Sequence, residues 1–305
     1  MLTVMVSVTT TAWAQTFVFN TGTPDGKVGA LSQPANGAKL ETEAADDFQL
    51  KDVTVIRHAS IVGLINAPIA NITNVEIEVY HIFGEDLNDQ PPSGNVPSRA
   101  NSPSDNEIAS ATRDAANGTL RFRVSQLATN FTVGKTVATG INKKPAQETH
   151  GEPGVTGTEV QIDIDFDPPI ILPTKDYFFR PEVFVTGGDF FYLTAPRPIV
   201  APGTPFVGDR QAWIRNSALK PDWLRIGTDI IGTDPTDNLV HTFSLTFSLI
   251  GEAVPGIGAP GNANCHGKTI SALANRFGSM DSASSTLGFS SVQLLQDTVR
   301  QFCEP

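Results

Sequence analysis

Side chains that alternate between apolar and polar at a period of two leave a chain little freedom. Only a strand with one face in a core satisfies them. Residues 74–83 place Val75, Ile77, Val79, His81 and Phe83 on one side, and Glu76, Glu78, Tyr80 and Ile82 on the other. Leu120, Phe122 and Val124 alternate with Arg121 and Arg123, and Val160, Ile162, Ile164 and Phe166 with Gln161, Asp163, Asp165 and Asp167. The clearest run is Phe243, Leu245, Phe247 and Leu249 against Thr242, Ser244, Thr246 and Ser248. Such strands, with no helical period before residue 268, predict a mainly β chain: an antiparallel, jelly-roll-like two-sheet β-sandwich. A parallel α/β sheet would need helices between its strands.

The pair Gly187-Gly188 sits between strand-type runs and predicts a tight hairpin, pairing Val185 with Phe190 and Val183 with Tyr192. Val183, Val185, Phe190 and Tyr192 then share one face, and Phe184, Phe191 and Leu193 the other. Residues 53–65 read as one long strand bent near Gly63, and Pro168-Pro169 as the end of the strand before it. Residues 84–118, 142–157 and 196–238 carry almost no apolar period and read as long connections.

Beyond residue 250 the pattern changes. Residues 251–264 are rich in Gly, Pro, Ala and Asn and read as a linker. Ile270, Leu273, Ala274 and Phe277 follow a helical period closed by Gly278. Asp281 is placed to cap a second helix, and Ser290 with Gln293 to box the start of a third. The only two cysteines, Cys265 and Cys303, bracket this tail. In an exported chain they predict one disulfide, closing a loop of about 39 residues and worth roughly 3 to 4 kcal/mol. At the other end, Ala12-Trp13-Ala14 closes an apolar, small-residue run and predicts a signal peptide cut after Ala14, although no basic residue precedes the run. The expected organisation is a signal peptide (1–14), a sandwich (15–250), a linker (251–264) and a disulfide-closed helical module (265–305).

The net charge of −11 and the low charged fraction of 17 % speak against nucleic acid or an anionic membrane surface as partner, since both require a basic face. No run is long and apolar enough to span a bilayer. An extracellular glycan or a cell-surface protein is the partner such a chain suggests.

Several stretches carry a resemblance. Phe19-Asn-Thr-Gly-Thr-Pro-Asp-Gly, Ala45-Asp-Asp-Phe, Asn101-Ser-Pro-Ser-Asp, Val155-Thr-Gly-Thr-Glu-Val and Trp223-Leu-Arg-Ile-Gly-Thr-Asp resemble a group of bacterial exported proteins of unknown function. The tail from Cys265 to Cys303 is similar to a C-terminal module found on various bacterial secreted proteins. The resemblance implies a bacterial source and export, and it brings no catalytic residues.

Three groups of residues could carry chemistry. Asp163, Asp165 and Asp167 project from one strand face, and Asp163 and Asp165 with Asp47 are candidate oxygen ligands for Ca²⁺. The plain alternative, a solvated strand face, weighs more, because neighbouring strand positions lie too far apart to chelate one ion alone. Trp213, Trp223 and Tyr192, with Arg225, could form an aromatic platform for a sugar ring; the plain alternative is that the tryptophans pin a long crossover into the core. Asp229, Asp234 and Asp237 lack the spacing of a calcium loop and fit Asx turns. The five histidines are scattered, and no motif of a hydrolase or zinc site is present. A hydrolase built from distant carboxylates, such as Glu182 with Asp163, stays open. The balance favours a non-catalytic binding or surface-structural module, with a carbohydrate-binding or carbohydrate-active domain and a Ca²⁺-stabilised surface protein as rivals.

Overall fold

The computed structural model describes residues 15–35, 37, 39–83, 100–139, 141, 149–219 and 223–304. The expected signal peptide lies outside them, as do parts of the long connections. In chain order the strands are β1 (Gln15–Asn20), β2 (Val28–Leu31), β3 (Thr42–Gln49), β4 (Thr54–Ile65), β5 (Ile72–Ile82), β6 (Pro103–Glu107), β7 (Arg113–Asp114), β8 (Leu120–Thr132) and β9 (Lys135–Val137). They continue with β10 (Glu152–Pro153), β11 (Thr156–Leu172), β12 (Asp176–Val185), β13 (Phe190–Pro196), β14 (Trp213–Asn216), β15 (Leu224–Arg225), β16 (Phe243–Leu245) and β17 (Phe247–Ala253). Three helices follow: α1 (Cys265–Phe277), α2 (Met280–Thr286) and α3 (Val292–Cys303).

The strands form two sheets, as the alternation predicts. Among the described residues one sheet has ten strands and the other seven. In the larger, β4 is the spine: β11 pairs along one edge, while β17 and then β13 pair along the other. In the smaller, β12 lies between β3 and β5. Pairing is antiparallel except between β2 and β9, which run parallel. The inward-facing residues of both sheets meet in one core centred on Phe247, whose ring stacks on Phe179 at 5.0 Å and packs against Phe19 at 5.3 Å. All four alternating residues Phe243, Leu245, Phe247 and Leu249 are buried in it.

The hairpin expected at Gly187-Gly188 is not a hairpin. β12 belongs to the smaller sheet and β13 to the larger, so the two glycines turn an arch from one layer to the other. Gly187 takes φ +71°, open to glycine at no steric cost, and a Cβ on Gly188 would press on Ala67 and Asn66. The expected inner face survives, since Val183, Val185, Phe190 and Tyr192 all join the core, but the outer one is split: Phe191 and Leu193 pack outside the larger sheet, whereas Phe184 belongs to the smaller. Alternation fixes which way a side chain points but not which strand lies beside it.

The expected long strand forms as β4, and two other expectations change. The long strand needs Gly63 because any Cβ there would overlap the Phe190 ring. β11 does not stop at Pro168-Pro169; its pairing with β4 breaks between Asp165 and Ile170 and resumes through Leu172. The supposed loops hold the short strands β6, β7, β14 and β15 and a π-helical turn, Ile226–Ile231.

The tail is helical, as its period predicts. Gly278 closes α1 in the left-handed region, and the caps of α2 and α3 are Ser279 and Ser291, not Asp281 and Ser290. Cys265 and Cys303 form the expected disulfide. The linker is shorter than expected: β17 continues to Ala253, and Val254 is already buried with the helices. The module does not hang free. Leu273, Leu287, Leu295, Val299 and Phe302 pack with Val55, Ile171 and Val254 on the outside of the larger sheet.

Candidate functional site

The aromatic platform is not a surface. Trp213, Trp223 and Tyr192 are 3 %, 0 % and 0 % exposed. The two tryptophans pack with Ala45, Tyr80 and Phe178 on the outer side of the smaller sheet, whereas Tyr192 belongs to the core facing the other sheet. Arg215 lies 4.4 Å from the Trp223 ring centre, and Arg225 5.9 Å from that of Trp213. Arg225 is itself clamped to Asp229 by bonds of 2.9 and 2.7 Å. Apolar burial is what holds the long segment between β13 and β16 to the sheet, and the tryptophans supply it.

The candidate metal ligands do not converge. Asp163 and Asp165 lie on the outer face of the larger sheet, where Asp163 accepts from Gln161 and Asp165 meets His58 at 2.5 Å. Asp47 sits in the smaller sheet and accepts from the backbone and guanidinium of Arg210 at 3.0 and 3.2 Å. Burial pushes its carboxyl up to about 7 against the pull of Arg210. Its neighbour Asp46 points inward, accepts from the Leu245 N–H at 2.8 Å, and is raised well above its ordinary value by burial and by Asp47. Glu182 and Asp163 cannot act as a carboxylate pair, because they occupy different sheets with the core between them. Asp234 and Asp237 make the expected Asx turns, to Thr236 and Leu239. His241, missed in the sequence, joins them: ligand-type atoms of the three lie within 4.8 Å of one another, and Asp237 is already bonded to His241 at 2.7 Å.

Sequence reasoning also missed a buried ion network on the outer face of the smaller sheet. Arg180, 1 % exposed, holds Glu43 at 3.0 Å, Glu182 at 2.8 Å, and Glu78. Arg215 binds Glu43 and donates to the Tyr80 hydroxyl at 3.0 Å. Burial works against the charge on Arg180, but its carboxylates win and raise it well above the ordinary range. Burial lifts the Glu182 carboxyl to about 8 against the pull of Arg180. Glu43, Glu78, Arg180 and Glu182 alternate with core residues, which is the pattern of a wet face; nothing in the spacing shows that the face is covered.

An accessible site is formed instead where the helical module meets the larger sheet. A groove of about 620 Å³ lies between the outer faces of β4, β8 and β11 and the α2–α3 connection. Strand irregularity builds it. Opposite β17, Ile250 pairs with His58 and Gly251 with Ile56, so Arg57 is an extra residue in β4. Such a bulge re-aims side chains. Ile56 and Ala59 both enter the core, and Arg57 and His58 both line the groove. The break in β11 next to them carries Pro169 into the wall.

The groove's polar groups are arranged as partners of opposite sign. Arg57 bridges the two units, donating to the Thr286 carbonyl at 3.0 Å and to Glu252 at 3.2 Å. Gly288, at φ +82°, leaves room for it: a Cβ there would stand 3.1 Å from Arg57 Cδ. Asp165 binds His58 on one oxygen and Arg123 at 3.5 Å on the other, and Arg121 reaches Asp167 at 3.3 Å. Ser290 and Ser291 face them from the module. The arrangement can hydrogen-bond a polar ligand from two sides. Among the described residues, no helix is long and apolar enough to cross a membrane. No protein-family model, curated protein or solved structure matches the chain.

Proposed function

We propose that this chain is an exported bacterial β-sandwich with a non-catalytic binding or surface-structural role, and that it engages its target through the groove between sheet and helical module. The observation that supports this most is the groove's construction. A bulge in β4, a break in β11 and a disulfide-closed module docked on Val55 and Ile171 bring charged and hydroxyl side chains to one open cleft. Its volume falls within the range of ligand sites, and Arg57, His58, Asp165 and Asp167 are held in place by hydrogen bonds and ion pairs. The disulfide and the expected Ala12-Trp13-Ala14 cleavage signal suit an oxidising compartment outside the cytosol.

The test is retention of the labelled, disulfide-intact protein on bacterial envelope fragments. Saturable binding that is lost in a Ser290→Trp variant, which fills the groove from its exposed rim, is expected. Retention no better than that of an unrelated β-sandwich would overturn the proposal.

A further inference from the structure

We infer that the groove takes a neutral oligosaccharide; this rests on the groove being the binding site proposed above. On the sheet side the donors Arg57 and Arg121 stand beside the acceptors Asp165 and Asp167, and on the module side Ser290 and Ser291 add hydroxyls and Asp281 a third carboxylate. The two signs are interleaved at hydrogen-bond range: Arg121 meets Asp167 at 3.3 Å. A phosphate or a polyamine would gain from one neighbour and be repelled by the next. A hydroxyl both donates and accepts, so a row of hydroxyls can satisfy donors and acceptors in turn.

Backbone pairing argues against the main alternative. An extended peptide binds by adding to a free sheet edge. β11, which runs through the groove, is paired with β4 on one side and β8 on the other, so it offers no edge there, and the free edge of β8 is the one turned away from β11. Nor is there an open apolar pocket for peptide side chains: Phe166 and Phe289, the aromatic residues of the lining, are each only 5 % exposed. They and Pro169 give the floor a limited apolar contact, of the kind the C–H faces of a sugar can use. About 620 Å³ holds a short oligosaccharide rather than a single ring. Both walls are needed, since one comes from the sheet and the other from the module.

Two linked measurements on the intact protein test this. Envelope fragments are treated either with periodate, which cleaves vicinal diols, or with protease, before the retention assay. A printed array of neutral and acidic oligosaccharides is then probed with wild type, Arg121→Ala and Asp165→Asn. Retention abolished by periodate but not by protease is expected, with array binding confined to neutral oligosaccharides and roughly tenfold or more weaker in both variants. Retention that survives periodate and is lost to protease overturns the saccharide while leaving a binding module in place. Array binding that is unchanged in both variants, or confined to acidic glycans, also overturns it. No retention of wild type at all overturns the binding module itself.

Discussion

Replacing Arg180 with methionine removes the hub of the buried network while keeping most of its volume. Arg180 holds Glu43 at 3.0 Å, Glu182 at 2.8 Å, and Glu78, and is almost wholly buried. Without it Glu43 keeps Arg215, but Glu78 loses its buried guanidinium and is left with neutral partners such as the Tyr80 hydroxyl. Breaking a buried ion pair from one side typically costs about 3–5 kcal/mol, because the partner charge stays behind. In a domain of this size that corresponds to a melting temperature lower by roughly 6–20 °C.

The cost must depend on pH, and its direction can be worked out. Burial raises the Glu182 carboxyl to about 8 in the folded protein, far above its unfolded value. A group raised in this way contributes stability that is complete below the unfolded value, near 4.5, and is lost as pH climbs through about 8. Wild type therefore loses stability over that window, and Arg180→Met loses more, since no guanidinium then offsets the cost of ionising the remaining buried carboxylates. Urea unfolding at pH 5 and at pH 8.5 is the assay. The deficit of Arg180→Met is expected to be at least twice as large at the higher pH, and Arg180→Met/Glu182→Gln to recover part of it there. A deficit that is equal at both pH values, or below about 1 kcal/mol at pH 8.5, would refute the reasoning.

Other expectations follow from single features. Replacing both Cys265 and Cys303 with serine removes a cross-link between residues 38 apart and lowers the stability of the helical module by about 4 kcal/mol, read as an earlier melting step. Gly63→Ala forces a methyl group into the Phe190 ring and costs roughly 1–3 kcal/mol in chemical unfolding, whereas Gly256→Ala, where a Cβ meets nothing, is limited to backbone strain at φ +84°. Because Asp163, Asp165 and Asp47 do not share a site, Asp163→Asn and Asp165→Asn are expected to leave any response of the melting temperature to EDTA unchanged; a response that these variants remove would restore a cation there.

The strands, their inward faces and the helical tail were legible because periodicity is a local signal. Val75, Ile77 and Val79, or Phe243 and Leu245, declare a buried face whatever lies beside them. What failed was the partner of each strand. Gly187-Gly188 reports that the chain reverses, and a reversal serves a hairpin and an arch equally well. The groove was illegible for a related reason. Arg57 becomes a bulge only when β4 is set against β17, and the α2–α3 connection reaches it only because the module docks on Val55 and Ile171. The buried network around Arg180 looked like a solvated face, since alternation records polarity and not cover. The burial of Trp213 and Trp223 is legible for a different reason, since a long connection must bury area somewhere.

The most direct test of the groove as a binding site is backbone hydrogen exchange with and without a saturating neutral oligosaccharide taken from the array. Protection is expected in both walls together, at residues 56–58 and 165–167 of the sheet and at 288–292 of the module. Protection confined to one wall, or appearing only around Trp213 and Trp223, would contradict it.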